Sequence, residues 1–124
     1  MLVIANTVSP EYLDTVRSLP YRVCDATGYL DKIVTELDLS TDLKQKLHQS
    51  LLSSGMTNFL KVSYALASGA DIVTGLTLQE AMMLTALDKD SIILYPGEPI
   101  PGLDGFPFQD VPDLVDKIEA LEVR

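Results

Sequence analysis

The chain reads as an α/β protein, a three-layer α/β/α arrangement around a central, mostly parallel sheet. Three observations predict it. Short apolar runs, such as MLVIANT at 1–7 and SIILY at 91–95, have the length and composition of buried strands. Segments with helical apolar spacing separate these runs, which calls for parallel pairing through crossovers. The runs alternate little between apolar and polar residues, as in a sheet covered on both faces.

The elements follow in order. Residues 1–7 form the first strand. Ser9-Pro10-Glu11 then opens a helix, with Ser9 as cap and Pro10 in the first turn. Tyr12, Leu13, Val16 and Leu19 repeat along that helix, and Pro20 stops it. Residues 21–25 (YRVCD) read as a second strand. Thr27-Gly28 begins a helix carrying Leu30, Ile33, Val34 and Leu37, and Ser40-Thr41-Asp42 restarts helical structure. There Leu43, Leu47 and Leu51 stack at four-residue intervals, with Leu52 widening the stripe. Ser53-Ser54-Gly55 is a turn. Thr57 or Asn58 caps a helix running through Ser68, and Gly69 stands where a left-handed terminator belongs. Asp71 to Thr74 is a short strand. Thr77-Leu78-Gln79-Glu80 matches a capping box and starts a helix with Ala81, Met82, Leu84 and Leu87. Ser91 to Tyr95 is a strand. Pro96 to Phe108 holds four of the seven prolines and three of the seven glycines, so it reads as a loop. Asp110 opens a last helix through Leu114, Val115, Ile118 and Leu121.

A length of 124 residues suits one domain spanning 1–124. An apolar fraction of 47% is enough to fill a core without disulfides. Cys24 is the only cysteine, so neither an intrachain bridge nor a Cys/His zinc cluster is available. The N-terminus lacks a basic region and a long apolar stretch, and no segment approaches a membrane span. A cytoplasmic location is therefore expected. The net charge is −9, and the nearest thing to a basic patch is Lys44 with Lys46. That balance disfavours nucleic acid as a partner.

Residues 58–75 read NFLKVSYALASGADIVTG. This stretch resembles the part of PIN-domain proteins in which an F-L helix ending in G-A-D runs into a V-T-G strand. LVIANT, YLDKI, SIILYP and VPDLVDKIEAL are loosely similar to other PIN segments, so the resemblance covers most of the chain. It implies the PIN version of the α/β sandwich. It also implies a nuclease site in which strand-end carboxylates hold Mg²⁺ or Mn²⁺, hard cations that activate water.

Against that pattern the acids are missing at four positions. The first strand ends in Ala5 or Asn6, the helix presents Lys32 beside Asp31, Thr57 precedes the F-L helix, and Leu76 follows V-T-G. The expectation is a catalytically degenerate PIN-like module for protein interaction or self-association, with no cofactor. One alternative is a Mg²⁺- or Mn²⁺-dependent endoribonuclease using displaced acids around Asp25. Another is a small-anion or nucleotide-binding protein using a crevice near Asn6, Thr57 and Thr74-Gly75, where a strand leads into a helix N-terminus. Asp71 matches an aspartate of the resemblance that does not hold metal.

Other motifs read as structural. His48 lies off the leucine stripe as a surface residue, and Cys24, Met56, Met82 and Met83 belong to the core. No G-x-S-x-G, G-x-G-x-x-G or G-x-x-x-x-G-K-[ST] motif occurs. Leu103, Phe106 and Phe108 make the proline-stiffened loop a candidate contact surface.

Overall fold

The computed structural model describes residues 1–6 and 9–121, without the side chain of Ile33. Its elements are β1 (Leu2–Ala5), α1 (Pro10–Arg17), β2 (Val23–Asp25), α2 (Tyr29–Glu36), α3 (Thr41–Ser54), α4 (Thr57–Ala67), β3 (Ile72–Leu76), α5 (Leu78–Leu87), β4 (Ile92–Pro96), β5 (Gly105–Phe108) and α6 (Val111–Ala120). The strands form one five-stranded sheet in the order β2-β3-β1-β4-β5, and every pairing is parallel. The fold is α/β with a parallel central sheet. The part of the first-strand reading that falls on Thr7 lies outside the described residues.

β1 and β4 are apolar along their length because both faces are covered, and period-two alternation sorts the strand side chains. Val3, Ala5, Cys24, Val73, Ile93 and Tyr95 pack with Val62 and Ala65 of α4 and Ala81 and Leu84 of α5. Leu2, Ile4, Ile72 and Leu94 pack on the other side with Val16 of α1 and Leu114 and Ile118 of α6. Leu76 joins the Val73 cluster although parity would place it opposite. The β1–β3 register slips between Val3 and Ala5, so one extra residue of β3 restores the match. Gly75 absorbs the kink at φ +82°.

Three helix starts carry side-chain caps, while α2 and α4 begin without one. Ser40 accepts from the Leu43 amide, Asp110 from the Asp113 amide, and Thr77 with Glu80 completes a capping box. Ser9 stands at the start of α1, but its hydroxyl makes no cap bond there. Gly55 and Gly69 take left-handed conformations after α3 and α4.

Four expectations are corrected. The segment 96–108 is not all loop, because residues 105–108 pair with β4. The sheet admits Pro107 there because β5 is an edge strand, where a missing amide goes unmissed. Phe108 is 1% exposed, in edge-to-face contact with Tyr12, so its ring belongs to the core and is not offered by a loop. Met56, Met82 and Met83 are exposed at 47%, 48% and 37%, not packed inside, because Val62 and Ala65 of α4 and Glu80, Ala81 and Leu84 of α5 occupy the buried positions. The leucine stripe of α3 contributes no buried residue, and Leu43 and Leu52 remain exposed.

Candidate functional site

An open cleft of about 370 Å³ lies beyond the carboxyl ends of β2 and β3. Ala26, immediately after β2, and Thr77, immediately after β3, reach its wall, and α2, α3 and α4 complete the rim. The carboxyl ends of the strands are the end of an open α/β sheet at which ligands bind.

Lys61 and Glu80 meet in this cleft. The start of α5 buries Glu80 to 2% exposure, and its Oε1 accepts from the Thr77 amide at 2.9 Å. The Lys61 Nζ donates to the same oxygen at 3.2 Å. A buried carboxylate is tolerated only with such partners. At the rim, His48 Nε2 lies 2.6 Å from Asp31 Oδ1, joining α3 to α2. The Lys44 Nζ donates to the Thr35 carbonyl at 2.7 Å and closes the same junction. Tyr29 also lines the cleft, its ring stacked on Tyr64 at 4.0 Å. The Tyr64 phenol is held above its ordinary value, first by the charge on Cys24 when that thiol ionises and then by burial.

The residues singled out in the sequence do not gather in this cleft, although Asp25 and Gly75 meet beside it. Of them, Thr57 lines the cleft. Asn6 follows β1 in a left-handed conformation, φ +59°, which asparagine tolerates, and its amide donates to the Leu76 carbonyl. Asp25 is tied down: Oδ2 accepts from Arg17 at 2.9 Å, and Oδ1 accepts from the Thr27 amide at 2.9 Å. Gly75 packs on that turn so closely that a Cβ would sit 2.4 Å from Thr27 Oγ1. Thr74 is buried, and its hydroxyl has no partner among the described residues. Two amides at the start of α5, those of Thr77 and Glu80, are already served by the capping box, and the Glu80 carboxylate repels an anion there. Of the candidate loop residues, Phe106 is exposed at 45% and Leu103 is half-buried.

Asp71 is structural. It accepts from the Arg22 amide at 3.1 Å, and this bond, then the guanidinium, holds its carboxyl below the ordinary 3.8.

Sequence reasoning missed Lys61, Glu80 and His48 as site residues. The capping box did place Glu80 at a helix start after a strand. Only tertiary packing brings Lys61 and His48 to the same opening. Among the described residues no three His, Cys, Asp or Glu side chains gather as a metal-holding group. No described helix is long and apolar enough to cross a membrane. Set against family models, curated proteins and solved structures, the chain matches none of them.

Proposed function

We propose that this chain is a noncatalytic, PIN-like α/β module that acts by docking a protein partner. The Lys61–Glu80 pair carries this reading. A divalent-metal nuclease needs several free carboxylate oxygens converging on one point. Here the buried carboxylate at the strand-end cleft is already neutralised by a lysine ammonium 3.2 Å away. The other nearby acids are engaged as well, Asp25 by Arg17 and Asp31 by His48. The positions where the PIN resemblance would require acids hold buried Ala5 or exposed Asn6, exposed Lys32, Thr57 at the cleft, and Leu76 in the core. This donor set does not fit Mg²⁺ or Mn²⁺, so no metal-dependent step is derived for it.

Support for docking comes from the exposed Leu43, Leu52, Met56 and Phe59, which crowd the α3–α4 segment. No acid occurs between Asp42 and Asp71, in a chain whose net charge is −9. Apolar side chains exposed in such number mark contact surfaces.

The test is a melting curve with and without millimolar Mn²⁺, followed by a cleavage assay on single-stranded RNA in the same buffer. The expected result is neither a shift nor cleavage. A Mn²⁺-dependent upshift with chelator-sensitive cleavage would overturn the reading. Light scattering over a concentration series then distinguishes self-association from a different partner.

A further inference from the structure

We propose that the cleft is a binding site for a neutral, planar lactam ring, of the size of a free pyrimidine or purine base or nucleoside. This assignment does not depend on whether the chain also docks a protein. It starts from an imbalance at Glu80. Both hydrogen bonds to this buried carboxylate, from Thr77 and from Lys61, fall on Oε1. Oε2 has no partner among the described residues, and Glu80 lines this cleft, so we read that oxygen as the one offered to it. A buried carboxylate oxygen without a donor is a strong acceptor waiting for an N–H or O–H, because charge-assisted bonds are the stronger kind. Beside it the Lys61 ammonium, 24% exposed, spends one proton on Glu80 and has others to give. An acceptor and a donor side by side complement an N–H next to a C=O.

Charge and shape narrow the class. Glu80 and Lys61 cancel within 3.2 Å, and Asp31 adds a carboxylate at the rim, so an anion is disfavoured. A cation would compete with Lys61 for the same carboxylate. A neutral ligand leaves the pair intact. The ring of Tyr29, backed by Tyr64, offers a flat wall, and Leu52 and Leu60 offer apolar ones. The volume of about 370 Å³ falls within the ~300–1,000 Å³ usual for small-molecule sites. The Thr57 hydroxyl and the Asn58 side-chain amide, without partners among the described residues, line the same cleft.

The test is an NMR titration of the full chain, following backbone amides of Ala26, Tyr29, Thr57 and Lys61, with uridine and with guanosine. Each is paired with its analogue methylated at the ring N–H, 3-methyluridine and 1-methylguanosine. The expected result is saturable shifts with uridine or guanosine at millimolar concentration or below, and none with the matching methylated form. Glu80→Gln keeps an acceptor for Thr77 but loses the charge, and should weaken binding about tenfold or more. The methylated controls use the unaltered protein, so the answer survives if that variant folds poorly. Absence of saturable shifts with either nucleoside would overturn the proposal. So would equal binding of the methylated forms, which would reduce the contact to stacking. A single-stranded oligouridylate that bound more tightly than uridine, with affinity falling steeply with salt, would overturn the assignment to a free base or nucleoside.

Discussion

Replacing Lys61 with methionine strands the Glu80 carboxylate at 2% exposure with the Thr77 amide as its remaining donor. Breaking a fully buried pair costs about 3–5 kcal/mol. Lys61 is 24% exposed, so water shares in its stabilisation, and the surviving amide bond shelters Glu80. A loss of about 2–3 kcal/mol is therefore expected for Lys61→Met. With an unfolding entropy of about 2.1 cal/mol/K per residue over 124 residues, this lowers Tm by ~8–12 °C. Adding Glu80→Gln removes the stranded charge while the amide oxygen still caps Thr77. The double variant is therefore expected to be about 1 kcal/mol or more better than the sum of the two single losses. Urea denaturation of the parent, both single variants and the double variant measures all four corners. A Lys61→Met loss under about 0.5 kcal/mol, or strict additivity of the two changes, would refute the coupling on which the noncatalytic reading rests.

Three further outcomes follow from the packing. Phe108→Ala is expected to cost about 3–5 kcal/mol in urea denaturation, against under ~1 kcal/mol for the neighbouring, half-exposed Phe106→Ala; similar losses would return residues 105–108 to a loop. Gly75→Ala combines a positive φ with a Cβ 2.4 Å from Thr27 Oγ1, whereas Gly69→Ala meets open space. The first should lower Tm well beyond the second, whose cost is about 1–2 kcal/mol from the backbone alone. For Asp71, whose folded-state carboxyl is depressed by Arg22, the stabilisation is complete above about pH 4 and fades as pH falls through the folded value. The stability gap between the parent and Asp71→Asn should thus be widest near neutrality and close below pH 4, and a constant gap across an acid titration would contradict the assignment.

Much of the fold was legible because it rests on local rules. The β1 and β4 runs are apolar at consecutive positions, which only a doubly covered sheet requires, and both lie in its interior, between other strands. Thr77 and Glu80 announced the start of α5 through spacing alone. β5 was hidden because Pro107 and Gly105 are poor strand formers, and an edge position forgives both. The exposure of Met82, Met83 and the α3 leucines was hidden for another reason. Periodicity reports that a face is apolar, not whether anything covers it. The site was the least legible part. Strand-end residues Asp25 and Gly75 were conspicuous in the sequence, yet they serve one local turn. The cleft is built from Lys61, Glu80 and His48, which lie on three different helices and signal nothing by spacing.

The claim that a lysine stands where a cation would be needed is tested most directly by electron paramagnetic resonance of Mn²⁺ titrated into the protein. Hydrated Mn²⁺ gives a sharp six-line signal that collapses on binding. The expected result is a signal that grows with added metal as it does in buffer alone, for the parent chain at millimolar concentration. A stoichiometric loss of signal, reversed by chelator and abolished by Glu80→Gln, would place a metal at the cleft and contradict it.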